Sequence, residues 1–224
     1  MYRGLRAGPQ GRATAAVHGP TIARMTSAPP PLILGSTSRY RRELLARLRL
    51  PFEVAAPAVD ETPEPGEAPA ALARRLALAK AREVAARHPN AVVIGADQVA
   101  DLDGEPIGKP GDHDHALAQL RRLGGRRVVF QTALAVVRAS SGFERAELAP
   151  VQVRFRPLAN DEIERYLRLD QPYDCAGSAR SESLGITLLE EIVSDDPTAL
   201  IGLPLIRTAR LLREAGLDPL RMAR

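Results

Sequence analysis

The stretch Ala91–Pro110, AVVIGADQVADLDGEPIGKP, constrains this chain more than any other. It opens with Ala91-Val92-Val93-Ile94, an apolar, β-branched run free of charge, which predicts a buried strand rather than a helix. The run ends at Gly95, so Asp97 is expected at the strand's carboxyl end, where open α/β sheets bind their ligands. Asp103-Gly104 predicts a turn between Val99–Leu102 and Glu105–Ile107, and the Gly108-Lys109-Pro110 loop returns a cation toward the same region. An acid able to hold a metal thus precedes a lysine able to hold a phosphate. On this stretch alone, an exposed aspartate and a solvated lysine fit equally well.

The rest of the composition narrows the class. A chain of 224 residues, 45% of them hydrophobic, can bury a sizeable core as one domain or two small lobes. No stretch approaches the roughly 20 apolar residues of a membrane helix, so a soluble protein with no membrane partner is expected. The lone Cys175 excludes an intrachain disulfide and suits a reducing cytoplasm. The net charge of +4 comes from the first 30 residues, where Arg3, Arg6, Arg12 and Arg24 meet no acid. The remainder is neutral, so no nucleic-acid partner is expected. Residues 1–30, rich in Gly, Ala, Pro and Arg, read as a disordered basic extension outside the folded domain of residues 31–224. Met25, just before the first strand, is an alternative start.

Along the chain, Leu32-Ile33-Leu34 predicts a buried strand, followed by Gly35-Ser36-Thr37-Ser38 and a helix from Arg39 to about Leu48 capped by Ser38. A strand, a small-residue turn and a helix N-terminus make an anion site. Arg41 and Arg42 oppose that helix's dipole, which makes sense if one of them turns toward a polyphosphate. Phe52–Ala55 predicts a second strand, leading to Asp60-Glu61. Pro69 opens an Ala-rich helix to about His88, with Lys80 near its apolar face. Asp112–Leu123 predicts a helix closed by Gly124-Gly125. Arg127–Arg138 and Glu147–Arg156 predict a hairpin of long strands. Asp161–Leu169 predicts a helix, Gly185–Leu189 a strand, and about Leu205–Glu214 the last helix.

Polar and charged residues therefore gather just after strands: Ser36, Ser38, Arg41, Glu61, Asp97 and Lys109. Acids with scattered Lys and Arg, and no nucleophile–His pair, suggest metal-assisted chemistry on a phosphate-bearing ligand. His18, His88, His113 and His115 all lie outside these loops.

The set Leu34-Gly35-Ser36-Thr37-Ser38…Arg41, Val59-Asp60-Glu61, Lys80-Ala81, Ile94-Gly95-Ala96-Asp97-Gln98-Val99, Ile107-Gly108-Lys109-Pro110 and Gly202-Leu203-Pro204 resembles the Maf family of nucleotide pyrophosphatases, from about Pro31 to Leu220. The resemblance implies an α/β fold similar to the inosine-triphosphate pyrophosphatases. That fold has a mixed elongated sheet with flanking helices, in two lobes around a nucleotide cleft, and is often a homodimer. It also implies cleavage of a nucleoside triphosphate between the α- and β-phosphates with Mg²⁺ or Mn²⁺. Carried across, Ser36, Arg41, Lys80 and Lys109 would hold the triphosphate. Asp97 would be the acidic residue that activates the attacking water, directly or through the metal it helps hold, and Glu61 a second metal ligand.

Within the family, Gln98 and Glu182 resemble the branch acting on 7-methyl-GTP rather than the dTTP/UTP branch. A 7-methylguanine is a cation with N–H donors, which suits the Glu182 carboxylate and an aromatic face at Tyr40. Tyr40, Gln98 and Glu182 are thus the expected base-specificity residues. Two alternatives remain: a dTTP/UTP pyrophosphatase of the same family, and a nucleotide-binding regulator of cell division that turns nothing over.

Overall fold

The structure, a computed structural model, describes residues 29–222. The basic extension therefore lies outside the described residues, apart from Pro29 and Pro30. The elements run β1 (Leu32–Gly35), α1 (Arg39–Ala46), β2 (Glu53–Val54), α2 (Pro69–Arg87), β3 (Val92–Leu102), β4 (Glu105–Ile107) and α3 (His113–Leu123). Next come β5 (Arg127–Arg138), β6 (Phe143–Phe155), α4 (Asn160–Asp170), β7 (Leu189–Val193), α5 (Leu205–Glu214) and α6 (Pro219–Met222). No helix among the described residues is long and apolar enough to cross a membrane.

One seven-stranded sheet carries everything, in the order β2-β1-β3-β5-β6-β7 with β4 paired to β3. β1 lies parallel to β2 and β3, whereas β3, β5, β6 and β7 are antiparallel in succession. The mixed sheet with flanking helices is the architecture expected from the sequence. On one face, the alanine-rich α2 packs over Ile33, Val93, Val99, Ala133, Ala135 and Val137. On the other, α1 and α5 cover Leu34, Ile94, Ala96, Leu134 and Val136 with Leu44, Leu45, Leu211 and Leu212. A third cluster fills the far end, where α3 and α4 pack on Leu102, Phe130, Val151, Val153 and Phe155. The long sheet thus joins two lobes.

β3 differs from its expected form in a way that matters. It does not end at Gly95 but continues through Asp97 to Leu102, because β5 pairs with it over Val93–Asp101. The opposite edge of β3 is shared. β1 takes Val92–Gly95 and β4 takes Ala100–Leu102, leaving Ala96–Val99 without a strand partner on that side. This four-residue gap in the sheet lies between the lobes, and Asp97 sits inside it. The turn after β1 enters the gap from one end and the loop after β4 from the other.

The strand expected over Gly185–Leu189 is instead a 3-10 turn, Leu184–Leu188, and β7 begins at Leu189. β6 pairs with the last strand only over Leu189–Val193, and Gly185 sits so close to the Arg180 backbone that an added Cβ would lie 2.5 Å from it. β6 begins at Phe143, four residues before its expected start, because β5 pairs with it down to Phe143.

α2 approaches β3 most closely at Gly95. A Cβ there would lie 2.2 Å from the Ala77 carbonyl and 2.6 Å from the Ala81 amide. Gly95→Ala is therefore expected to push α2 off the sheet, costing about 1–3 kcal/mol as overpacking in a close-packed core does. Denaturant unfolding reads this directly, and a midpoint equal to that of the unsubstituted protein would show that the contact is not tight.

Candidate active site

Side chains alternate across a strand, so Asp97 points to the α2 face of the sheet and Gln98 to the α1/α5 face. On the α2 face, Lys80 meets two acids. Its Nζ donates to Asp97 Oδ1 at 2.7 Å and lies 2.8 Å from Glu61 Oε1. The Lys80 and Asp97 side chains are only 6% and 10% exposed, whereas that of Glu61 is 60% exposed. A buried ammonium is costly to desolvate, and here two carboxylates compensate it with charge-assisted hydrogen bonds. Glu61, at the mouth, connects the buried pair to solvent.

From the other side comes the turn after β1. Ser36 is buried, and its Oγ accepts from the Ser38 amide at 3.2 Å and from Arg41 Nη1 at 3.4 Å. Ser38 caps α1 as expected, accepting from the Arg41 amide. Arg41 Nε donates to the Gly202 carbonyl at 3.0 Å. Among the described residues no carboxylate bonds this guanidinium. Burial pushes it below its ordinary value, against the pull of Asp97 and Glu61. A desolvated cation held by only a hydroxyl and a carbonyl is a receptor for an anion.

Lys109 follows β4 on the far side of the gap. It is exposed, and among the described residues it forms no ion pair. Its loop is anchored through Gly108, whose carbonyl accepts from Gln119 Nε2 at 3.2 Å and from the Gly177 amide at 3.4 Å.

Lys80 therefore touches both Glu61 and Asp97, Ser36 and Arg41 form a second cluster, and Lys109 stands in the loop that leaves β4, with no hydrogen bond or ion pair to either cluster among the described residues. The two acids also suit a divalent cation. Among the described residues no cluster of three acidic, His or Cys ligands exists, but Mg²⁺ commonly takes one or two protein carboxylates and completes its shell with phosphate oxygens and water. Asp97 and Glu61 offer that donor set, already converging on a positive charge.

The three expected base-specificity residues are not brought together. Tyr40 joins a separate cluster, donating to Asp174 Oδ1 at 3.2 Å and accepting from Arg39 Nη2 at 2.6 Å. Its ring already carries two guanidinium groups, Arg39 at 4.7 Å and Arg180 at 5.6 Å from the centroid. Glu182 is exposed in the turn just after Arg180. That turn is fixed by Asp170, which accepts from Ser183 Oγ at 2.7 Å and pairs with Arg180. Gln98 stands apart, on the opposite face from Asp97. Its Nε2 donates to Thr132 Oγ1 at 2.8 Å and to the carbonyls of Ala199 and Leu200 at 3.0 Å each.

Three participants were missed from sequence: the Gly202 carbonyl, Thr132, and the Asp170–Arg180 pair. Gly202 had a signal, since Gly202-Leu203-Pro204 stood among the recognisable motifs. Its φ of 116° is open only to glycine, and it turns the carbonyl toward Arg41. Thr132 and Asp170 gave none, because nothing in a strand or a helix end marks a residue that bonds across the fold.

A gap in a mixed sheet, lined by a buried lysine–carboxylate cluster and an unpaired arginine, defines a phosphate-handling site. The match of residues 31–215 to the model described as Maf-like protein agrees with it, and the chain belongs to that family. A 7-methyl-GTP pyrophosphatase of Polaromonas sp. is 67% identical over 192 residues, covering 86% of this chain and 88% of that protein. Another protein of that name, from Bordetella pertussis, is 60% identical over 88% of this chain and 98% of its own length. Among solved structures, the Ham1 protein of Staphylococcus aureus covers 56% of this chain and 71% of that chain, at 16% identity and a TM-score of 0.42, too weak a likeness to carry an argument.

Cys175 provides a pH test of the Tyr40 cluster. Burial pushes its thiol up to about 11, beside a Tyr40 hydroxyl that burial raises to about 12. A raised acid value keeps the thiol protonated at neutral pH, and the thiolate forms only as pH rises toward the higher value. Alkylation of the folded protein at pH 8 is thus expected to be more than tenfold slower than that of a free cysteine, even allowing for the greater nucleophilicity of a high-pKa thiolate. Labelling as fast as free cysteine would show that the cluster is open.

Proposed function

We propose that this protein hydrolyses 7-methyl-GTP to 7-methyl-GMP and pyrophosphate, removing a modified nucleotide. The observation that carries the hydrolase reading is the buried Lys80 held between Glu61 and Asp97 in the gap of the sheet. A protein that only binds nucleotide needs cations, whereas this one sets a carboxylate against the place where they converge. The 7-methyl-GTP assignment is supported by the names of the relatives that cover most of this chain.

In this reading Arg41, Ser36 and Lys109 hold the triphosphate across the gap, with Lys80 beneath it. Water adds to the α-phosphorus, the bond from that phosphorus to the bridging oxygen breaks, and the water proton passes to Asp97 as pyrophosphate leaves. Mg²⁺ or Mn²⁺, held by Asp97 and Glu61 when bound, supplies neutralisation of the phosphate charge. Among the described residues nothing donates to the second Asp97 oxygen, which leaves it free to accept from water. Glu182 and Tyr40 would meet the base in this reading, and a cationic purine would then compete with Arg39 and Arg180 for the tyrosine ring.

The test is pyrophosphate release from 7-methyl-GTP, GTP, dTTP, UTP and CTP in parallel with Mg²⁺ or Mn²⁺. Preference for 7-methyl-GTP is expected. Preference for dTTP and UTP would overturn the base assignment, and nucleotide binding without release would overturn the reaction. Asp97→Asn is expected to lower turnover at least about a hundredfold, the lower bound for a positioned acid–base group, with the fold retained by circular dichroism and a lower unfolding temperature, because buried Lys80 loses a charged partner. Near-parental turnover would remove Asp97 from the chemistry.

A further inference from the structure

Gln98 follows the candidate catalytic acid in sequence but faces away from it. Its amide has two N–H groups and three acceptors within reach: Thr132 Oγ1, the Ala199 carbonyl and the Leu200 carbonyl. The donor side of this group is fully engaged and has nothing left to offer a base. Thr132, fully buried, adds its own hydrogen bond to the Ala199 carbonyl at 2.9 Å. The Gly202 amide donates to the same carbonyl at 2.9 Å, closing the 3-10 turn Ala199–Ile201. The residue that ends this turn is Gly202, whose carbonyl receives Arg41 Nε.

We propose that Gln98 is a positioning residue for the phosphate clamp: with Thr132 it fixes the Ala199–Gly202 turn on β3, and through the Gly202 carbonyl it aims Arg41 at the triphosphate. The chain of contacts is continuous. Gln98 grips two successive carbonyls of the turn, so the turn cannot rotate about one of them. Gly202, in a backbone conformation closed to other residues, then fixes the direction of its carbonyl. Arg41 is bonded at Nε to that carbonyl and at Nη1 to Ser36, which holds its guanidinium plane and leaves its remaining N–H groups free. A half-buried arginine with no carboxylate partner among the described residues needs such a frame. Two adjacent residues of β3 thereby serve the same substrate from opposite faces, Asp97 at the reacting bond and Gln98 through the clamp.

This inference rests on the cleft being a triphosphate site, and its test separates the two. The probe is inorganic tripolyphosphate with Mg²⁺, which has no base and undergoes no nucleotide hydrolysis, with binding read by calorimetry. Gln98→Met keeps the length and removes the donors; Thr132→Val removes one partner and keeps the shape. Both are expected to weaken tripolyphosphate binding, by about tenfold for Gln98→Met. In an Arg41→Ala background the same changes are expected to add less than twofold, because residues acting through one group are not additive. The preference for 7-methyl-GTP over GTP is expected to stay as it is. Unchanged tripolyphosphate affinity together with an altered base preference would overturn the positioning role and make Gln98 a base reader. An equal loss with and without Arg41 would overturn it in favour of a general structural role. Failure of the parent protein to bind tripolyphosphate would overturn the triphosphate reading and this inference with it.

Discussion

The site depends on how closely α2 lies against β3. Gly95 lets the helix backbone approach to a distance no side chain would allow, and Lys80 then reaches the Asp97 carboxylate on the next inward-facing position of the strand. That one contact buries an ammonium that would otherwise be too costly to desolvate, and it ties a catalytic-type carboxylate to a rigid helix rather than to a loop. Glu61 completes the charge compensation from the exposed side. The result is an acid held by one charge-assisted hydrogen bond to a helix, in a part of the sheet that is otherwise open.

The openness has its own cause in the topology. A strand has two edges, and β5 occupies one edge of β3 along nearly its whole length. The other edge is divided between a parallel partner at one end and a short antiparallel hairpin at the other. Each partner delivers its own cation on leaving the sheet, Arg41 after β1 and Lys109 after β4. The two segments that carry these cations thus leave the sheet at opposite ends of the unpaired Ala96–Val99 stretch.

Much of this was legible in the sequence because it is written locally. Leu32–Leu34 and Ala91–Ile94 announce strands by unbroken apolar runs, Asp103-Gly104 announces its hairpin, and α5 spans the expected residues because its apolar face is continuous. Lys80 could be singled out as a charge near an apolar helix face, and Asp97 and Glu61 as acids following strands. The misplaced elements were those decided by distant partners. β3 extends past Gly95 because β5 lies beside it, and the last strand starts at Leu189 because β6 pairs with it only from there. The role of Gln98 was hidden for the same reason, since its acceptors lie about a hundred residues away. Chemistry in this chain is legible by residue type, and positioning only by contact.

The most direct measurement is a crystal structure of the protein with Mg²⁺ and a 7-methyl-GTP analogue carrying a non-hydrolysable link between the α- and β-phosphates. The phosphates are expected within the Ala96–Val99 gap, bonded by Arg41 and Lys109 from opposite ends, with the α-phosphorus facing Asp97. Phosphates bound away from this gap, or an α-phosphorus turned from Asp97, would contradict it.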